Sequence, residues 1–163
     1  MTSEHNIRVR QARPEDSHFI LALVPQLLAF GPPPWRDVAQ MTETDTLTIA
    51  RSLRSATDRA TVLVAEDRHG QLLGFMHLCA EPDYYTRAEC GHIADIVVAP
   101  EARGRGVGEA LVAAGERWAC DRGYSLLTLN VFLENRPARA LYERTGFHAE
   151  TVRYVKALPP SSA

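Results

Sequence analysis

Val97-Val98-Ala99-Pro100-Glu101-Ala102-Arg103-Gly104-Arg105-Gly106-Val107-Gly108 runs from an apolar stretch into an amphipathic one. Before it, His92 to Val98 reads as a buried strand stopped by Pro100. After it, Val107, Ala110, Leu111, Ala114 and Trp118 recur on one face of a helix over 106–121, which Gly123 ends. Glycines in such a turn let a ligand approach the backbone with no Cβ in the way. The first N–H groups of the helix lack internal partners and point outward at its positive end, which suits a phosphate. Arg103 and Arg105 add positive charge and donors. The same residues also make a tight turn with solvated arginines, and the loop alone leaves both readings open.

Two other phosphate loops do not fit. There is no Gly-Lys-Ser or Gly-Lys-Thr, so a nucleoside triphosphate loop is absent. A dinucleotide fold carries this turn after its first strand, with an acid about 20 residues later. Here the turn comes late, and the next apolar run ends in Thr128, Leu129 and Asn130.

Working outward, Tyr124 to Val131 is the strand after the helix, and strand–helix–strand makes one right-handed parallel unit. Upstream, Thr61 to Ala65 and Leu72 to Leu78 flank the turn Arg68-His69-Gly70 as an antiparallel hairpin. Ile7 to Gln11 alternates as a half-buried strand, and Arg13-Pro14-Glu15-Asp16 looks like a helix start. Phe19 to Phe30 carries that helix, with Pro25 bending or interrupting it. Gly31 to Trp35 holds three prolines and is a stiff, irregular loop. Thr42 to Ser55 reads as a second helix anchored by Leu47, Ile49 and Leu53. Downstream, Asn135-Arg136-Pro137 opens a short helix ending at Thr145-Gly146. Phe147 to Leu158 is mostly extended, and 159–163 is a frayed tail. The expectation is an α/β fold: a mixed, mainly antiparallel sheet flanked by helices, in one domain over 1–163.

Composition narrows the function classes. A chain of 163 residues fits one domain with a sizeable core. A formal net charge of −2 argues against bulk attraction to nucleic acid or an anionic membrane. The start has no apolar run of the signal-peptide kind, and no stretch approaches the roughly 18–20 apolar residues that span a bilayer. Cys79, Cys90 and Cys120 lack metal-ligand spacing, so they read as buried, reduced thiols in the cytoplasm, with no metal.

The run Arg103-Gly104-Arg105-Gly106-Val107-Gly108 resembles the pyrophosphate loop of the GNAT superfamily of N-acetyltransferases, Gln/Arg-x-x-Gly-x-Gly/Ala, with Arg103, Gly106 and Gly108 as the matching residues. Asp95-Ile96-Val97-Val98-x-Pro100 is similar to that family's central strand. Asn135-x-x-x-Arg139-Ala140-Leu141-Tyr142-Glu143-x-x-Gly146-Phe147 looks like its second signature. The close resemblance covers about Gly74 to Phe147; the chain before Arg59 follows the family only in its order of elements.

The resemblance implies acetyl-CoA as acyl donor and a central parallel strand pair that splays apart. Backbone amides of Arg103, Gly104, Arg105, Gly106, Val107 and Gly108 would hold the pyrophosphate, and Ile96, Val97 and Val98 would pair with the pantetheine arm. Asn135 matches an asparagine that contacts the cofactor arm; it is also a good helix N-cap, and one residue can serve both roles. Tyr142 matches the tyrosine that protonates the departing thiolate, against a packed core tyrosine as the competing reading. Asp95 stands where relatives carry a carboxylate base; it either takes the acceptor's proton, binds its ammonium, or is structural. His92, three residues away, joins the site only if a bulge intervenes, and is a reserve base. Cys90 and His92 also invite a thiol nucleophile, although no third orienting residue is evident.

On the acceptor side the family's pattern points to Phe30–Asp37 and Glu81–Glu89. Trp35, Tyr84 and Tyr85 are candidates for a pocket wall, and Asp37, Glu81, Asp83 and Glu89 for attracting a cation. Each is equally an ordinary loop residue. The implied partner is a small-molecule or peptide amine, with a homodimer through Phe147–Leu158 as a further expectation. The competing function is a CoA-binding module that has lost turnover.

Overall fold

The computed structural model describes residues 7–160. Five strands form one sheet in chain order: β1 (Arg8–Gln11), β2 (Ala60–Glu66), β3 (Leu72–Pro82), β4 (Glu89–Val98) and β5 (Leu127–Leu129). The first three pairings are antiparallel and β4–β5 is parallel. This is the mixed, mainly antiparallel α/β architecture expected from the sequence. The β2–β3 turn closes locally, because Asp67 Oδ1 accepts from the N–H groups of His69 and Gln71 at 2.8 and 3.0 Å. Helices α1 (Ser17–Leu23) and α2 (Val38–Arg54) come before the hairpin; α3 (Val107–Asp121) and α4 (Arg136–Arg144) come after β4 and β5.

Alternation along β3 divides the sheet into two faces. Met76 and Leu78 lie against Gly115 of α3, and Gly91 of β4 lies against Trp118 and Ala119. On the opposite face His77 bonds to Ser52 of α2. Ile20, Ile49, Val64, Phe75, Met76, Leu78 and Leu111 are fully buried between these layers. Each such side chain contributes about 1.5–3 kcal/mol by leaving water. At the β1 edge, Arg10 bridges Asp16 (2.7 and 3.2 Å) and Glu66 (2.8 Å), with all three side chains largely buried. The Arg10 hydrogen bond holds the Asp16 carboxyl below its ordinary range despite burial.

Several boundaries differ from the sequence expectations. α1 stops at Leu23, and Pro25 sits in a 3₁₀ turn over Val24–Leu28, since the ring cannot continue the α-helical hydrogen bonding. α2 begins at Val38 rather than Thr42, because Asp37 Oδ1 caps the Gln40 N–H at 2.8 Å. Leu47 is not an anchor of α2: it is 59% exposed, while Ile49 is fully buried. β5 keeps only three residues of the expected 124–131. Phe147–Leu158 forms no strand among the described residues, and Tyr154 there is 92% exposed. Cys90 is buried as expected, but Cys79 is half-buried and Cys120 exposed, all three as free thiols. Residues 1–6 and 161–163, which include most of the expected tail, lie outside the described residues. No helix among the described residues is long and apolar enough to cross a membrane.

Candidate active site

The turn between β4 and α3 forms one end of the site. Pro100–Ala102 makes a 3₁₀ turn, and Gly104 and Gly106 follow with φ of 72° and 81°. A Cβ built on either glycine meets nothing within 4 Å, so the backbone conformation, with open space beside it, is what calls for glycine. The N–H groups of Gly104, Arg105, Gly106, Val107 and Gly108 donate to no backbone or side-chain acceptor among the described residues. Five free donors beside the positive end of a 15-residue helix fit a pyrophosphate in chemistry and direction. Gly108 has a different reason to be glycine: its Cβ would stand 2.9 Å from Leu141 Cδ2, so it lets α3 approach α4. Arg103 reaches back to Gln26 Oε1 at 3.1 Å, tying the loop to the 3₁₀ turn after α1.

From this loop the site continues along β4. The parallel register with β5 covers only Gly91, His92 and Ile93, opposite Leu127, Thr128 and Leu129. Asp95 to Val98 pairs with β3 on one side and has no β5 partner on the other, so the two strands part. The backbone of Ile96, Val97 and Val98 therefore borders an open gap that leads to the glycine turn. An extended, amide-bearing ligand arm fits there by strand-like pairing.

A β-bulge at Ala94 sets the side chains. His77 is opposite Asp95, Leu78 is opposite Ile93, and Ala94 has no counterpart. Cys79 is opposite His92. His77 and Cys79 are two apart on one face of β3, so Asp95 and His92 share that face although they are three residues apart. The condition stated for His92 from sequence is thus met. Asp95 Oδ2 is 3.0 Å from His77 Nδ1, and His77 Nε2 is 2.9 Å from Ser52 Oγ. His92 Nδ1 is 2.8 Å from Thr128 Oγ1 and 3.6 Å from Glu81 Oε2. Burial lowers the proton affinity of His92, with His77 acting the same way, while Glu81 and Asp95 pull it up; the net direction is down.

Tyr142 approaches from α4. It is 8% exposed and packs edge-on to Phe147 with ring centroids 5.8 Å apart. Its hydroxyl makes no hydrogen bond among the described residues, and burial, then the Asp95 charge, push its pKa up to about 12. It is a packed core tyrosine that lies near enough to Asp95 for that charge to oppose its ionisation. Asn135 Oδ1 accepts from the Ala138 N–H at 3.3 Å, which makes it the N-cap of α4. Cys90 is buried, and burial raises its thiol pKa, the opposite of what a nucleophilic thiol requires.

The acceptor-side candidates separate. Asp37 is occupied as the α2 cap. Asp83 accepts from the Tyr85 and Thr86 N–H groups within its own turn, and Glu89 pairs with Arg59. Only Glu81 among these acids stands beside His92. Tyr84 and Tyr85 are 73% and 77% exposed and pack edge-on to each other, and Trp35 is 50% exposed. A different aromatic pair, Phe30 and Phe132, stacks at 5.2 Å and joins the loop after the first helix to the loop after β5. Sequence reasoning also missed Asp45, a half-buried acid on α2 whose carboxyl is raised to about 6 by burial and then by Asp95. Asp45, Ile49 and Ser52 fall at helical spacing on the face of α2 that covers the sheet, and that spacing was the available signal.

Comparison with known proteins places this geometry. The acetyltransferase (GNAT) family model matches residues 25–147. A mycothiol acetyltransferase of Arthrobacter sp. (strain FB24) is 36% identical over 98 residues, 60% of this chain and 30% of that protein. The chain thus spans less than a third of that relative's length. An uncharacterized N-acetyltransferase of Bacillus subtilis (strain 168) is 28% identical over 155 residues, covering 94% of this chain and 99% of that one. Among solved structures, a putative acetyl transferase from Pyrococcus furiosus superposes with a TM-score of 0.74 at 25% identity, over 94% of this chain and 100% of that chain. With the family model covering both the glycine turn and the Tyr142 helix, the chain belongs to the GNAT acetyltransferase family.

Proposed function

We propose that the protein is an acetyl-CoA-dependent N-acetyltransferase that acts on a primary amine of a small molecule or peptide by direct attack in a ternary complex. The observation that carries this reading is the open β4 edge: it runs from the free amides of Gly104–Gly108 to a face holding Asp95, with Tyr142 nearby. Backbone amides of the turn take the pyrophosphate, Ile96–Val98 take the pantetheine arm, and Asn135 contacts that arm while capping α4. The single contiguous core around the sheet supports one acyltransferase domain.

Asp95 accepts a proton from the acceptor's ammonium, which frees the nitrogen lone pair to attack the thioester carbonyl. A β4 backbone N–H facing the gap supports the oxyanion. As the C–S bond breaks, Tyr142 gives its phenolic proton to the leaving thiolate; with a pKa near 12 it is fully protonated at neutral pH. The nitrogen loses its second proton as the amide forms, restoring the phenol, and Asp95 returns its proton to water. His92, neutral by burial, is the reserve base.

The mycothiol of the relatives' name is not carried over, given the share of their length that matches. Three free cysteines support a reducing, cytoplasmic setting. Exposed Leu126, Leu133, Tyr154 and Leu158, beside the short β5 and along 147–158, support a homodimer through that segment; light scattering that gives a monomer mass would remove it. The test of activity is CoA-thiol release from acetyl-CoA against polyamines, amino acids, aminoglycosides, arylamines and peptides, with Tyr142→Phe alongside. Turnover on one acceptor class, reduced on the order of 100-fold in the variant, supports the enzyme and the acid. Tight acetyl-CoA binding with no release on any acceptor favours a silent CoA-binding module instead.

A further inference from the structure

His77 is 3% exposed in the middle of the sheet, where an apolar residue would pack at lower cost. Both ring nitrogens are engaged, one to Asp95 Oδ2 at 3.0 Å and the other to Ser52 Oγ at 2.9 Å. An ionised carboxylate only accepts, so Nδ1 carries the proton of that bond. In the neutral ring Nε2 is then an acceptor, and the Ser52 hydroxyl donates to it. The chain of contacts fixes the ring from helix α2 on one side and holds the Asp95 carboxylate from the other. Asp95 Oδ1 has no hydrogen-bond partner among the described residues, and the side chain keeps 14% of its surface exposed. One carboxylate oxygen is held inward while the other is left for a ligand.

The order Ser52–His77–Asp95 also has the outline of a hydrolase triad. Ser52, however, lies within α2, where the neighbouring N–H groups serve the helix and none is free to hold an oxyanion. The ring therefore acts on Asp95 rather than activating Ser52. We propose that His77, oriented by Ser52, is a positioning residue that fixes Asp95 with Oδ2 bonded and Oδ1 presented to the acceptor amine. This rests on the acetyltransferase reading above. Around Asp95 the other polar groups are Asp45 from α2, Cys79 from β3, His92 from β4, Glu81 from β3 through His92, and Tyr142 from α4; none of these hydrogen-bonds to Asp95.

Two variants separate positioning from simple packing. An Asn amide nitrogen reaches where Nδ1 stands and keeps a donor for Asp95; a Gln amide nitrogen reaches where Nε2 stands and leaves Asp95 unheld. With spermidine and kanamycin as acceptors, His77→Gln should lower kcat on the order of 100-fold, and His77→Asn by about tenfold or less. KM for acetyl-CoA and the thermal midpoint serve as folding controls and should match between the two. Equal losses in Asn and Gln would mean packing only and overturn the proposal. Long-range 1H–15N spectra of the histidine-labelled full chain at pH 8 need no turnover: His77 should show a protonated Nδ1 and a bare Nε2, whose resonance moves in Ser52→Ala. A ring protonated on Nε2 instead would refute the contact itself. If neither amine nor any other in the panel turns over, the acetyltransferase reading falls and takes the catalytic part of this inference with it, while the ring spectrum distinguishes that failure from a wrong contact.

Discussion

Asp45→Asn tests the electrostatics of the cleft with a sign that few substitutions share: it should stabilise the protein at pH 8. Burial, then the Asp95 charge, hold the Asp45 carboxyl at about 6, against an ordinary 3.8. A raised carboxyl pKa means that the folded state binds the proton more tightly than the unfolded chain. Below about 3.8 both states are protonated and the group costs nothing. As pH rises through about 6 the folded chain must ionise Asp45 in an unfavourable place, and stability is lost. At ~1.4 kcal/mol per pH unit the gap sets a ceiling of ~3 kcal/mol. The side chain is only partly buried and solvent screens the interaction, so ~1 kcal/mol is the expected gain at pH 8. For a chain of this size that is a rise of about 2–4 °C in thermal midpoint. Thermal melts of both proteins at pH 4, 6 and 8 decide the matter. The gain should be largest at pH 8 and vanish by pH 4. A gain of equal size at every pH, or a loss at pH 8, refutes the argument that Asp45 is held beside a second carboxylate.

Other substitutions probe the frame around the site. In Gly74→Ala the new Cβ would stand 2.5 Å from the Val97 carbonyl oxygen. The backbone of β4 must give way, and a loss of about 1–3 kcal/mol in urea unfolding should accompany weaker CoA binding by calorimetry, because Val97 borders the gap. Gly106→Ala places a Cβ at φ 81° with free space around it, so about 1–2 kcal/mol of backbone strain should appear in a thermal melt, with reduced CoA affinity as the turn relaxes. Asp16→Ala leaves Arg10 with Glu66 as its one hydrogen-bonded carboxylate and should cost ~3 kcal/mol at pH 7. The Asp16 carboxyl is depressed, so its contribution is present above its ordinary pKa and fades as pH falls through the lower folded value; the gap between variant and parent should narrow in acid denaturation.

How much of this was legible in the sequence depended on how local the signal was. The glycine turn was legible because Gly104 and Gly106 sit where the chain turns left-handed, and the α3 face repeats with helical spacing. The start of α2 was not, because Asp37 follows a proline-rich loop in which an acid draws no attention until its carboxylate is seen on the Gln40 N–H. β5 was read too long because Tyr124 to Val131 is rich in apolar residues, with Leu126, Leu127 and Leu129 at its centre. Its length is set by β4, which leaves it after Ile93. His77 was invisible for a different reason. A histidine inside an apolar strand looks like core, and the partners that give it meaning are 18 and 25 residues away in sequence. Asp45 was one of two acids on a polar helix, with Glu43, and only burial and the nearby Asp95 charge distinguish it.

The single residue Ala94 connects these observations. Without the bulge, strict alternation would put His92 and Asp95 on opposite faces, one toward α2 and the other toward α3. The extra residue brings both to the α2 face, where His77, Ser52 and Asp45 meet them. At the same point the parallel pairing with β5 ends, so the backbone from Ala94 to Val98 is left open toward the glycine turn. The two halves of the candidate site thus meet at one residue of β4: a side-chain face that holds Asp95 on one side of Ala94, and a free strand edge that begins there and leads to the glycine turn. Under the proposed function the first would meet the acceptor and the second the donor's arm, which sets the two groups side by side along a single strand.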